Sequence, residues 1–134
     1  MENLVKNFLS QKNFAVVGSF RNKSKYAYRI FKTLKEKGYQ VYPINPGISE
    51  VEGVRCYSNV KDISETIDVI SIVTPAKITA NIVKDCKDIG ITKVWIQPGA
   101  ESKEVIKFCY DNNIDVVHGL CVMMEEIKNR RTND

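Results

Sequence analysis

A short loop after the first apolar run carries the side chains best suited to binding chemistry. Gly18 is followed at positions 19–24 by the sequence SFRNKS, which brings hydroxyl, guanidinium and ammonium donors together. The spacing of Tyr28, Phe31 and Leu34 predicts a helix directly after this loop. Basic side chains beside the positive end of a helix dipole attract phosphate groups. The loop therefore predicts a phosphate or pyrophosphate site. The alternative is that Ser24 caps the helix and the basic side chains are solvated.

The sequence has no recognisable catalytic or metal-binding constellation. His118 is the only histidine and follows an apolar run, which favours a strand-end residue over a catalyst. The four cysteines, at 56, 86, 109 and 121, form no CxxC pair for zinc or redox chemistry. No nucleic-acid-binding motif is present, and the largest aromatic residues fall on predicted strands and a helix face, which favours core packing over base stacking. These aromatic residues are Trp95 and the tyrosines at 26, 28, 39 and 42.

Composition and charge narrow the class of protein. A chain of 134 residues with 43% hydrophobic and 27% charged residues is typical of one globular domain, here residues 1–134. The apolar runs are too short to cross a bilayer, and the N-terminus has no secretory pattern, which predicts a cytoplasmic protein with reduced thiols and no membrane partner. Residues 1–42 have a net charge of +7 and residues 43–134 a net charge of −3. An anionic ligand is therefore expected near the first third of the chain.

Strand and helix patterns alternate along the chain. An N-terminal helix within residues 1–13 is followed by five predicted strands, with helices between them and after the last. The predicted strands are Phe14–Val17, Tyr39–Ile44, Val69–Val73, Val94–Gln97 and Asp115–Val117, with Val54–Tyr57 as a candidate short edge strand. This alternation predicts an α/β fold with a doubly wound, mainly parallel, Rossmann-like sheet in three layers and the strand order 3-2-1-4-5.

Ligands of such sheets bind beyond the carboxyl ends of the strands, where the strand order reverses. In this sequence that edge is formed by four dipeptides: Gly18-Ser19, Asn45-Pro46, Thr74-Pro75 and Gln97-Pro98. Nicotinamide sites usually place an acidic residue at the end of the second strand to bind the ribose hydroxyls. Here that place holds Asn45-Pro46, and the first loop has one glycine rather than three. A nucleotide other than NAD is therefore favoured.

Several segments together resemble one known family. They are the VVGS sequence at 16–19, the GYQVYPINP sequence at 38–46, the VWIQ sequence at 94–97 and the VV pair at 116–117 with Cys121 shortly after. The chain resembles the small stand-alone CoA-binding proteins, whose Rossmann-like domain is shared with the N-terminal part of the succinyl-CoA ligase alpha subunit. The resemblance covers about residues 14–128. It departs from the family pattern at Pro98, at Val73-Thr74-Pro75-Ala76, which looks more like the ligase version, and at Gly119-Leu120.

The resemblance implies roles for individual residues. It implies that the first loop surrounds the CoA phosphates and that Asn45-Pro46 lies against the nucleotide; the other candidates, Thr74, Pro75 and Gln97, come from the predicted ligand edge of the sheet. The residues implied for the phosphates are Gly18, Ser19, Phe20, Arg21 and Lys23.

The interpretation that follows is a domain that binds coenzyme A or an acyl-CoA, without catalysis of its own. The alternatives are an enzyme or redox sensor that uses NAD(P) or FAD, and a regulatory protein that responds to acyl-CoA and docks on an enzyme not identified by the sequence. Cys121 is predicted to lie at the ligand edge, where thiolate exchange with oxidised CoA would give a mixed disulfide. The opposing interpretation is a buried, inert packing residue.

Overall fold

The chain folds around a parallel sheet, as the alternation of strand and helix patterns predicts. The structure, a computed structural model, describes the backbone of residues 1–133 and the side chains of residues 1–130. The strands are β1 (Asn13–Val17), β2 (Gln40–Ile44), β3 (Glu50–Val51), β4 (Val54–Arg55), β5 (Val69–Ile72), β6 (Lys93–Ile96) and β7 (Asp115–His118). Five of them form the parallel sheet, in the order β2-β1-β5-β6-β7. The predicted Rossmann-like α/β class is confirmed.

The register of the strands aligns their carboxyl ends along one edge. Val17 lies opposite Ile44 on one side and Ile72 on the other. Ile72 in turn lies opposite Ile96, which is paired with His118. The loops that follow the five strands therefore meet on the same side of the sheet.

Helices cover both faces of the sheet. They are α1 (Glu2–Leu9), α2 (Tyr26–Glu36), α3 (Ala76–Ile89), α4 (Lys103–Asp111) and α5 (Val122–Asn133), with a short 3-10 turn at Val60–Asp62. Buried side chains of α1, α2 and α5 pack with Phe14 and Val16 on one face. Buried side chains of α3 and α4 pack with Ala15 and Val17 on the other. Alternation along β1 thus sends side chains into two separate cores, as expected for a strand buried on both faces.

The ends of two helices follow directly from their sequences. The hydroxyl of Ser102 accepts a hydrogen bond from the N–H of Val105 at 3.2 Å and so caps α4. Gly90 ends α3 in the left-handed conformation, with φ of 83°, which costs glycine little because it lacks a Cβ atom.

The segment around residues 50–57 differs from the prediction. Val54 and Arg55 pair antiparallel with Glu50 and Val51 in a separate hairpin. The predicted strand order 3-2-1-4-5 is wrong, because the five predicted strands lie in the order 2-1-3-4-5. Beyond β2, the candidate edge strand contributes an isolated bridge from Tyr57 to Ile44. A hairpin forms because Glu52 and Gly53, both with positive φ, make the tight two-residue turn that joins antiparallel strands.

Most of the large aromatic residues lie in the core, but one prediction is wrong. Trp95 is fully buried, and its Nε1–H donates to the carbonyl oxygen of Leu120 at 2.8 Å. Tyr26, predicted to be a core residue, is 58% exposed because it begins α2 beside the first loop. The helices described in residues 1–133 are all too short or too polar to span a membrane.

Candidate ligand-binding cleft

A cleft of about 520 Å³ lies at the carboxyl ends of β1, β2 and β5. Its walls come from three loops, one after each of these strands, and from the first turn of α3. The residues that line it are Val17, Gly18, Ser19, Arg21, Ile44, Asn45, Pro46, Gly47, Val73, Thr74, Pro75 and Ile78. The chain leaves β1 toward α2 on one face of the sheet and leaves β5 toward α3 on the other. The cleft is therefore at the reversal of strand order, where doubly wound sheets bind their ligands.

Gly18 allows α2 to approach the end of β1. A Cβ atom at this position would lie 2.5 Å from the Cβ of Ala27 and 2.9 Å from the carbonyl oxygen of Val73. Both separations are too short for any side chain larger than hydrogen. The glycine therefore places the first turn of α2 directly against the ends of β1 and β5.

Asn45 joins the loops after β1 and β2. Its Nδ2 donates to the carbonyl oxygen of Gly18 at 2.6 Å, and its Oδ1 accepts from the N–H of Gly47 at 2.7 Å. One amide side chain thus satisfies a backbone acceptor of the first loop and a backbone donor of the second. This explains an asparagine at the place where a nicotinamide site would carry an acid.

Arg21 reaches across the mouth of the cleft. Its Nη2 donates to the carbonyl oxygen of Gly47 at 2.6 Å. A guanidinium has five N–H donors in a planar fork, so this contact leaves most of them available to a ligand. The side chain is exposed. The cleft therefore has a positive group at its entrance that is already held in place by the backbone.

Two helix N-termini face this region with uncapped amides. Lys25 precedes α2 and Pro75 precedes α3, and neither helix has a side-chain cap. The alternative in which Ser24 caps α2 is wrong, because its hydroxyl donates to Oδ1 of Asn22 at 2.6 Å instead. Free N–H groups at a helix N-terminus bind anions.

A smaller compartment of about 220 Å³ continues the cleft toward α3 and the 3-10 turn. The two cavities share Val17, Ile44, Pro46 and Ile78. Its other lining residues are Ser58, Asn59, Val60, Asn81, Ile82 and Asp85. An apolar floor with a few amide, hydroxyl and carboxylate groups at the rim is typical of a small-molecule site.

Three candidate residues do not line the cleft. Phe20 is 5% exposed and packs edge-to-face on Phe31 in the core. The ammonium of Lys23 lies 3.6 Å from the carboxylate of Glu52 in the hairpin. Gln97 is 3% exposed. The structure brings together the other seven, Gly18, Ser19, Arg21, Asn45, Pro46, Thr74 and Pro75.

The amide of Gln97 is used inside the protein. Its Nε2 donates to the hydroxyl of Ser71 at 3.2 Å, and its Oε1 accepts from the N–H of Val122 at the start of α5 at 3.2 Å. A ligand would have to break one of these buried contacts to reach the side chain.

Five residues that line the cleft are not among the candidates from the sequence: Val17, Ile44, Gly47, Val73 and Ile78. Ile78 fits the apolar spacing of a helix, yet its side chain is 49% exposed and lines the cleft. Gly47 follows Asn45-Pro46 in the second loop, and its carbonyl oxygen accepts the hydrogen bond from Arg21. An apolar residue in the first turn of a helix at the ligand edge is a signal that could have identified Ile78.

The thiols differ in their surroundings. Burial raises the pKa of Cys86 to about 12 and that of Cys109 to about 11, and burial also raises the pKa of Cys56. Cys121 is partly exposed and lies directly before α5. It does not line the cleft.

Within the described residues, no group of three His, Cys, Asp or Glu side chains is arranged as a metal site.

Comparison with known proteins identifies the family. The sequence matches the family described as "CoA binding domain" over residues 12–126. The chain belongs to the CoA-binding domain family. The matched residues include the whole sheet and all three loops around the cleft.

Solved relatives of this CoA-binding domain share its fold over most of their length. A conserved hypothetical protein from Pyrococcus furiosus is 37% identical, with a TM-score of 0.83 over 86% of this chain and 99% of that one. A hypothetical protein from Pyrococcus horikoshii OT3 is 30% identical, with a TM-score of 0.92 over 97% of this chain and 92% of that one.

A curated relative is much longer. The alpha subunit of acetate–CoA ligase [ADP-forming] II from Pyrococcus furiosus is 30% identical over 126 residues, which is 86% of this chain. The CoA-binding domain described here spans 28% of the length of that subunit.

Proposed function

We propose that this chain acts as a single CoA-binding domain that binds coenzyme A or an acyl-CoA in the cleft and catalyses no reaction of its own. The observation that carries the proposal is the convergence of seven candidate residues around one cavity at the reversal of strand order. Membership of the CoA-binding domain family supports the choice of ligand.

The phosphates lie in the part of the cleft formed by Ser19, Arg21 and the two uncapped helix N-termini. Arg21 supplies a guanidinium whose fork matches a phosphate group, and a guanidinium stays charged at any physiological pH. No acidic residue lies in the first turn of α2 or of α3. The electrostatic environment therefore favours a ligand with several negative charges.

The adenine lies in the smaller compartment. Val17, Ile44 and Ile82 offer it an apolar floor, and Asn81 stands at the rim. The side chain of Asn81 makes no hydrogen bond with another described residue, so its amide is available to form hydrogen bonds with the edge of a base. This arrangement places Pro46 between the base and the phosphates, since it lines both compartments.

The proposal predicts that Arg21→Ala weakens CoA binding by about 1.5–3 kcal/mol, the range for a hydrogen bond to a charged group. Isothermal titration calorimetry with CoA measures the change. Arg29→Ala is the matched control, because Arg29 is exposed on α2 and stacks on Tyr26 rather than lining the cleft. The CoA affinity of the Arg29→Ala variant should equal that of the unmodified protein.

The same titrations separate the proposal from its alternatives. CoA should bind more tightly than NAD, because the second strand ends in Asn45 rather than an acid. Micromolar NAD binding with no heat from CoA would overturn the proposal. Equal CoA affinities for Arg21→Ala and Arg29→Ala would remove Arg21 from the site. The mixed disulfide between Cys121 and CoA stays a prediction.

A further inference from the structure

A second groove, of about 510 Å³, lies between α3 and α4 and is separate from the cleft described above. Its walls are mainly apolar, and they begin at the first residue of α3 and at the residue that caps α4. The lining residues are Ala76, Lys77, Ala80, Val83, Lys84, Ser102, Glu104, Val105 and Phe108.

This groove and the CoA cleft meet at the start of α3. Pro75 and Ile78 line the cleft, whereas Ala76 lines the groove. Pro75 and Ala76 are consecutive residues with Cα atoms about 3.8 Å apart, so the linings of the two cavities are in direct contact. The groove begins at Ala76 and Ser102, which follow β5 and β6 in the chain, and β5 is adjacent to β1 in the sheet. Strand spacings of about 4.8 Å are short compared with a pantetheine arm.

The chemistry of the groove suits a hydrocarbon rather than a polar group. Val83 and Val105 are buried at its floor, and Phe108 is only partly covered. The charged residues at the rim, Lys77, Lys84 and Glu104, make no ion pair with one another or with any other described residue, so no such pair closes the opening. Apolar side chains left exposed in a concave surface favour an apolar occupant.

We propose that the groove between α3 and α4 holds the acyl chain of an acyl-CoA whose nucleotide lies in the cleft. The inference rests on the proposed function. The preferred ligand is then an aliphatic acyl-CoA rather than free CoA. Its acyl group passes over the ends of β5 and β6 and lies along Ala76, Ala80 and Phe108.

A chain-length series tests the inference. Calorimetry with CoA, acetyl-CoA, butyryl-CoA, hexanoyl-CoA and octanoyl-CoA should show affinity rising about two- to fourfold for each methylene that enters the groove. Complete burial of a methylene corresponds to the upper end of that range. Equal affinity for CoA and octanoyl-CoA would overturn the inference and leave CoA binding intact. Absence of heat with every ligand would instead overturn the proposed function.

A substitution in the groove tests its location. Ala80→Leu fills the groove and should remove the chain-length dependence while the affinity for free CoA stays unchanged. Lys103→Leu is the control, because Lys103 is exposed on α4 and does not line the groove. Thermal unfolding of both variants checks that they are folded. A chain-length dependence that persists in Ala80→Leu would contradict the proposal.

The other possible occupant of the groove is a second copy of the chain. Analytical ultracentrifugation of the unmodified protein and of Ala80→Leu distinguishes it. A dimer that dissociates in Ala80→Leu, with no chain-length dependence in either protein, would assign the groove to a subunit interface and overturn the acyl-chain proposal.

Discussion

The carboxyl edge of the sheet has two gaps, which are places where the loops after neighbouring strands lead to opposite faces of the sheet. One of these gaps is open and the other is filled. Beyond β1 and β5 the chain departs to opposite faces, toward α2 and α3, and beyond β6 and β7 it again departs to opposite faces, toward α4 and α5. The first gap is the 520 Å³ cleft. The second is filled by Gln97, whose amide connects Ser71 to the start of α5.

Side chains rather than topology explain the difference. Around the open gap, the strands are followed by residues with short or rigid side chains, such as Gly18, Ser19 and Pro75, which leave space. Around the closed gap a long amide reaches into the space, and the indole of Trp95 binds the carbonyl oxygen of Leu120. Loops that lead to opposite faces of the sheet therefore leave space at its edge. The side chains at the strand ends determine whether that space stays open.

The largest effect is expected at Gly18, where α2 packs closely against the ends of β1 and β5. Gly18→Ala should lower the free energy of unfolding by about 3 kcal/mol, because the new Cβ would overlap Ala27 and the carbonyl oxygen of Val73. The same displacement of α2 should weaken CoA binding at least tenfold. Urea unfolding and calorimetry measure the two changes.

Gly119→Ala provides the control in the closed half. Nothing lies within 4 Å of the added Cβ, but φ is 77°. The substitution should cost about 1 kcal/mol of stability through backbone strain and leave CoA affinity unchanged. If both variants lose affinity alike, the contrast between the two gaps is wrong.

Gln97→Leu should separate stability from binding. It leaves the buried hydroxyl of Ser71 and the N–H of Val122 without their partner, which should lower the free energy of unfolding by about 2 kcal/mol. CoA affinity should stay within twofold, measured by calorimetry below the unfolding temperature. A large loss of affinity in a stable protein would instead support the role in CoA binding that the sequence suggested for Gln97.

The smallest effect concerns the hairpin that adjoins the open half. The hydroxyl of Tyr28 and the ammonium of Lys32 lower the pKa of Glu52 to about 2, from an ordinary value near 4.5. A carboxyl with a lowered pKa stabilises the fold above its unfolded pKa, and this contribution is lost as pH falls through its folded pKa. The stability difference between the unmodified protein and Glu52→Gln should therefore narrow as the pH falls from about 4.5 to about 2.

Urea unfolding across that pH range measures the difference. Glu104→Gln is the control, because Glu104 is exposed and makes no ion pair with a described residue. A difference for Glu52→Gln that does not vary with pH would show that the carboxylate is not stabilised by its neighbours.

The fold could be predicted because its signals are local and repeated. Gly90 ends α3 and Ser102 caps α4 through interactions within a few residues of themselves. The apolar runs of β1 and β5 indicate strands buried on both faces. The hairpin at 50–55 was not predicted, because strands of two residues have no periodicity, and the choice of partner depends on a turn.

The candidate site could be predicted only in part. A loop motif gives the position of a residue in the chain but not the direction of its side chain. Phe20 lies in the same loop as Ser19 and Arg21, yet it turns inward onto Phe31 because it is the apolar member. Lys23 turns to Glu52, a partner 29 positions away that no local pattern indicates.

The two hydrogen bonds of Asn45 also bear on how readily a ligand is accepted. Because its amide connects the first loop to the second through Gly18 and Gly47, neither loop has to be ordered when a ligand arrives. Binding to a rim that is already fixed loses little conformational entropy, so more of the contact energy remains as affinity. In the proposed function, the asparagine contributes to CoA recognition by preorganisation and need not touch the ligand to do so.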